Sequence, residues 1–170
     1  MQYRKGGHMT VRKRKRLRIV LWLAAVAWMG LIFAFSLEDA DQSSETSGRI
    51  IRWLLAHFDT TFLELSPEEQ LLRVGEWSFV VRKLAHFSLF AVMGLLSLAA
   101  FSVDLPLRRA FPAALGLGTA RGVLDEVQQA FVPGRSCEFR DMCIDAAGVL
   151  LGAAFLLLIL CLTQRKKLKG

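Results

Sequence analysis

Patterns for metal ligation and for nucleophilic catalysis are what this chain lacks. Its three cysteines, Cys137, Cys143 and Cys161, fall at no metal-binding interval. No HExxH or paired-histidine spacing occurs, so neither a metal nor another cofactor is expected. Ser43, Ser44, Ser47 and Ser136 lie outside any G-x-S-x-G elbow, which removes local support for a serine nucleophile. No internal repeat or low-complexity segment stands out. Acidic residues are missing where basic ones gather. Arg4, Lys5, Arg12, Lys13, Arg14, Lys15, Arg16 and Arg18 precede the first apolar run with no acid among them, and Arg165, Lys166, Lys167 and Lys169 follow the last. These ends supply most of the net charge of +7. They do not predict a nucleic-acid partner, because no folded soluble domain remains to read one. Lys and Arg beside spans mark the cytoplasmic side instead, with attraction to anionic lipid as a secondary effect.

What the chain has is apolar sequence in blocks. Of 170 residues, 54% are hydrophobic, the mean hydropathy is +0.39, and the apolar residues are bunched rather than spread at core periodicity. A helix needs about 20 apolar residues to cross a bilayer. Four stretches qualify: 17–37, 84–103, 110–132 and 142–162. The third is the weakest, interrupted by Arg121, Asp125 and Glu126. The expectation is an all-α, polytopic four-helix transmembrane bundle, one domain over 1–170, in the bacterial cytoplasmic membrane. An even number of spans leaves both basic termini in the cytoplasm, with Arg108 and Arg109 on the same side. Residues 1–8, with Gly6-Gly7-His8 ahead of Met9, resemble an added extension. The first span is too long and lacks the small-residue site of a removable signal peptide.

Residues 38–80 then fall outside and are acidic. Within them, Ile50, Ile51, Leu54, Leu55 and Phe58 recur at helical spacing, so 47–58 reads as an amphipathic helix at the interface and a surface for another envelope protein. Ser66-Pro67-Glu68-Glu69 is a capping box with proline at the first helical position. It leads, with only Gly75 as a breaker, into the second span. Cys137 and Cys143 read as lying near the outer face, with free thiols favoured over a disulfide.

The polar residues of the last three spans are the informative ones, since ionisable side chains in hydrocarbon are costly and mark function by default. Gly118, Arg121, Gly122, Asp125, Gln128 and Gln129 share one helical face, and Arg121 can neutralise Asp125 one turn away. Asp141, Asp145, Gly148 and Gly152 share another, where Gly148-x-x-x-Gly152 allows close backbone approach. Arg82, Lys83 and His86 open the second span on the outer side, against the positive-inside bias, and need compensation. Span counting brings the carboxylates to a similar depth, together with Arg135 after the Pro133-Gly134 turn, and Arg140. A pocket mixing Arg, Lys and carboxylates suits an anionic head group, because Arg and Lys grip phosphate.

At these residues the chain resembles the VanZ-like family of small bacterial membrane proteins. The matching pieces are Phe35-Ser36 followed by Ser43, Ser44 and Ser47; Arg82-Lys83-Leu84-Ala85-His86-Phe87; Asp125-Glu126-x-x-Gln129-x-Phe131-Val132-Pro133-Gly134-Arg135; and Asp141-x-x-x-Asp145-x-x-Gly148. The resemblance implies a four-helix integral membrane protein, and the family's best-known member is associated with low-level resistance to the glycopeptide teicoplanin. Two positions depart from the family pattern. Phe90 stands where Tyr is frequent, and Gln128 where His or Tyr is frequent. Both changes remove side chains able to transfer protons.

The resulting expectation is a non-enzymatic envelope protein that binds an anionic membrane lipid or lipid-linked envelope precursor. The ligand would be held by Arg82, Lys83, His86, Asp125, Glu126, Gln129, Arg135, Asp141 and Asp145. In this scheme Lys83 and Arg135 hold phosphate, while Asp125, Glu126 and Asp145 position the cations. The alternative is a membrane-embedded hydrolase or transferase acting on a lipid, with Asp125 or Glu126 as general base and His86 as acid.

Overall fold

A computed structural model describes residues 10–169, so residues 1–8 and the extension read there lie outside the described part. Five α-helices and one 3-10 turn follow in order: α1 (Val11–Ser36), α2 (Ala40–Phe58), the turn Phe62–Glu64, α3 (Pro67–Ser102), α4 (Leu107–Gln129) and α5 (Phe139–Lys169). Among the described residues there is no strand. The fold is the expected all-α one.

Three helices, α1, α3 and α5, are long and apolar enough to cross a membrane. Their outward faces are apolar and exposed, with Val20 and Leu23 on α1 and Leu151, Phe155 and Leu158 on α5. Uncovered apolar surface of this extent fits a lipid environment. The expected third span corresponds to α4, which falls short of that apolar threshold. The reason is visible in its burial: Arg121, Asp125, Glu126 and Gln129 turn inward and are all buried. Its polar groups are held against protein, not lipid.

α3 is the hub, packing against α1, α2, α4 and α5. It begins at the expected capping box: Ser66 Oγ accepts from the Glu69 N–H, and the Glu69 carboxylate accepts from the Ser66 N–H at 2.8 Å. It then runs unbroken for 36 residues. At 1.5 Å per residue that is roughly 54 Å, well beyond the ~30 Å hydrocarbon thickness.

α2 starts at Ala40, seven residues before the stretch that apolar periodicity identifies. Asp39 supplies the missing signal, its side chain accepting from the Gln42 N–H at 2.8 Å. The inner face of α2 seats Ile51 against Phe62 and Val74, giving the hairpin with α3 a small core of its own. Two further clusters fill the bundle, one around Ile32, Phe90, Met93 and Val149 and the other around Leu98, Ala110, Ala114 and Ala153.

The bundle's direction is marked at both ends. Arg14 donates to the Val103 carbonyl at 2.7 Å and pairs with Asp104 at 3.4 Å, so the start of α1 meets the α3–α4 connection. At the opposite end Ser36 meets Asp125 of α4. Consequently the basic sequence gathers at one end and the conspicuous polar residues at the other.

Candidate functional site

Glycines decide how the polar residues meet. A Cβ on Gly152 would overlap the Ala91 carbonyl oxygen, one on Gly148 the Phe87 carbonyl oxygen, and one on Gly94 the Val149 carbonyl oxygen. α3 and α5 therefore touch backbone to backbone over several turns. The spacing read as close-approach glycine in α5 does that work. Gly122 plays the same part for α4, since a Cβ there would sit 3.1 Å from Asp145 Cβ. With the three axes drawn together, side chains one or two turns further along are forced into a common space.

That space holds four carboxylates in distinct settings. Asp125 is fully buried and saturated: Ser36 Oγ donates to Oδ1, Arg121 Nη1 lies 3.0 Å from Oδ1, and Gln129 Nε2 donates to Oδ2 at 2.9 Å. Asp141 forms an ion pair with Lys83. Glu126 is fully buried, and its Oε2 accepts the backbone N–H of Glu138 at 2.8 Å, while Oε1 has no protein partner. Asp145 is fully buried as well, and neither oxygen has a hydrogen-bond partner among the described residues. The imidazole Nδ1 of His86 lies 3.6 Å from Asp145 Oδ1, too long for a hydrogen bond.

Two cavities flank this cluster and share a wall. A groove of about 400 Å³ runs between α1, α2 and α3, apolar along Trp28, Leu89 and Val92 and cationic at Arg82 and Arg135. A second cavity of about 210 Å³ is polar, bordered by Lys83, Gln129, Glu138 and Asp141. Arg82, His86 and Arg135 line both. Arg135 is positioned by the turn before it: its N–H bonds back to the Val132 carbonyl at 3.1 Å, with Pro133 and Gly134 between. Gly134 has φ +73°, the left-handed value that a proline-glycine turn needs at its glycine. The same turn abuts the start of α2, where a Cβ on Gly134 would come within 2.8 Å of Ala40 Cβ.

A protein-family model described as VanZ/LLP1 matches residues 21–161. The chain belongs to the VanZ/LLP1 family. With three helices suited to crossing a bilayer, it is a VanZ-like membrane protein. No curated protein and no solved structure matches it.

All nine residues proposed from sequence for this VanZ/LLP1 chain lie in one neighbourhood, on α3, α4, α5 and the 130–138 connection. The partners differ in detail from those expected. Asp141 holds Lys83, and Asp125 holds Arg121, so neither Glu126 nor Asp145 positions a cation of the proposed phosphate pair. Among the described residues Arg135 makes no ion pair, leaving its charge to face the cavities. Arg140 lines the polar cavity as well, where it pairs with Glu138 at 2.8 Å and stacks over Phe79. Three contacts were not among the nine: Arg121, already read from sequence as able to neutralise Asp125, and two that were not foreseen, Ser36 and the N–H of Glu138. A serine closing an apolar span is a signal for Ser36. The Glu138 N–H is a backbone group and leaves none. The three cysteines are free and exposed.

Proposed function

We propose that this VanZ/LLP1 protein is a multi-pass protein of the bacterial cytoplasmic membrane, with both termini in the cytoplasm. In this reading it binds an anionic lipid or lipid-linked envelope precursor at the outer face. One observation carries the reading: an apolar groove and a polar chamber meet at a wall of Arg82, His86 and Arg135. An acyl or prenyl chain fits the Trp28, Leu89 and Val92 side, and a phosphate fits the two guanidiniums, which bind it through paired hydrogen bonds. Lys83 stands beyond them, its charge partly spent on Asp141. The orientation is supported by the basic end, where Arg14 and Arg18 gather beside the α3–α4 connection, as the positive-inside rule requires.

A precursor held this way is shielded from a soluble glycopeptide, which connects the pocket to teicoplanin tolerance. The test is thermal stabilisation of the purified protein by phosphatidylglycerol, phosphatidylethanolamine and a polyprenyl phosphate. Wild type is expected to be stabilised by the anionic lipids, and the R82A/R135A variant to lose that response. Equal responses of the two proteins to every lipid would remove the pocket from consideration. Glu126 favours a second reading, lipid hydrolysis or transfer, because its buried Oε1 has no protein partner. Product release by wild type and none by E126Q is the result that reading requires.

A further inference from the structure

Three helices carry one imidazole and two carboxylates to a single point. His86 on α3, Asp125 on α4 and Asp145 on α5 each offer a ligand atom, and these atoms lie within 4.8 Å of one another. Metal–ligand bonds of about 2.0–2.2 Å put the atoms around a first-row divalent ion roughly 3–4 Å apart. His86 Nδ1 and Asp145 Oδ1, at 3.6 Å, already have that separation. A short inward movement of Asp125 completes the set.

The second observation is independent of the spacing. Asp145 is fully buried, yet Oδ1, Oδ2 and the facing His86 Nδ1 all lack hydrogen-bond partners among the described residues. A buried carboxylate without compensation is strongly disfavoured. Arg121 is engaged with Asp125 and Lys83 with Asp141, while Arg135 faces the cavities and makes no ion pair with Asp145. A proton shared between His86 and Asp145 satisfies Nδ1 and Oδ1 but leaves Oδ2 bare. A divalent ion bound by His86 and by both oxygens of Asp145 satisfies all three. Asp125 has the orienting shell that metal ligands characteristically carry, from Ser36, Arg121 and Gln129.

The geometry points to a binding site for one first-row divalent transition ion on His86 Nδ1, Asp125 and Asp145. The imidazole selects against magnesium and calcium, while the carboxylates admit zinc, manganese or ferrous iron. Because the ligands come from three separate helices, no local motif announces the site. In the sequence alone, the absence of paired-histidine spacing points away from a metal. The inference does not rest on lipid binding, and its test needs no added lipid.

Full-length protein, stripped with chelator in detergent, is titrated with Zn²⁺ and with Mn²⁺. Bound metal per chain and the dissociation constant are measured. One ion per chain is expected, undisplaced by excess Mg²⁺ or Ca²⁺. Loss of an outer-shell partner costs metal affinity about 10–100-fold, which is the effect expected of S36A. D145N and H86Q remove ligands and should exceed about 100-fold. D104N, which removes a carboxylate at the opposite end of the bundle beside Arg14 and Arg18, should bind as wild type does. Wild type binding neither ion at one per chain overturns the inference without recourse to any variant. So does binding that survives both H86Q and D145N, because it then belongs to the exposed thiols.

Discussion

The bundle is built differently along its length, and the line between the two constructions runs across α3 and α5. Toward the basic end these helices meet through glycine, with Gly148 on Phe87, Gly152 on Ala91 and Gly94 on Val149. Toward the other end the same two helices meet through Lys83 with Asp141 and His86 with Asp145. The first construction contributes packing and fixes distance. The second contributes little net stability, since buried ion pairs roughly repay their own desolvation, but it places reactive groups. The tight half holds the axes at a separation that the polar half, left alone, would not choose.

That contrast can be broken by mutation. The largest effect is expected from D125L, which leaves the buried Arg121 guanidinium unpaired and should cost about 3–5 kcal/mol. The double variant R121M/D125L should recover most of that loss, because removing both charges of a buried pair is near neutral. Unfolding of the detergent-solubilised protein measures both. A double variant as unstable as D125L would mean that the polar half is itself a stabilising element. Next is G152A, whose single added carbon meets the Ala91 carbonyl. Overpacking of this kind costs about 1–3 kcal/mol, and it should also weaken whatever the cluster binds, by parting α3 from α5. A G152A protein of unchanged stability would show the seam to be loose.

S36A sharpens the picture on the α1 side. Losing one hydrogen bond to a carboxylate should cost about 1.5 kcal/mol by the same unfolding assay. The smallest effect lies outside both halves, in the turn joining α2 to α3. There the Thr61 hydroxyl and N–H donate to Asp59 at 2.8 and 3.1 Å, holding its carboxyl below the usual value. A depressed carboxyl stabilises the fold fully above its unfolded pKa, about 3.9, and loses that contribution as pH falls through the lower folded value. Hydrogen-exchange protection of residues 59–62 should therefore drop below about pH 4, and D59N should abolish that dependence. The bundle should be indifferent to it.

Sequence reasoning reached what lies within one helix. The Arg121–Asp125 pair follows from a four-residue step, and the inward face of α5 from the spacing of Asp141, Asp145, Gly148 and Gly152. The start of α3 followed from a local capping pattern. What stayed hidden is register between helices. Whether Lys83 would choose Asp141 or Asp145 depends on how far α3 slides along α5, and backbone contacts at Gly148 and Gly152 determine that. The first turns of α2 were hidden for another reason. Residues 40–46 carry almost no apolar side chains, so periodicity had nothing to register, and a single aspartate cap had to be recognised instead.

The unbroken length of α3 has a mechanical meaning. Its first turns form a hairpin with α2, and Lys83 and His86 belong to the same rod. With no hinge between cap and cluster, leaning the hairpin over must swing those two side chains with it. A tilt of α2 would then reach the carboxylates by leverage rather than by diffusion.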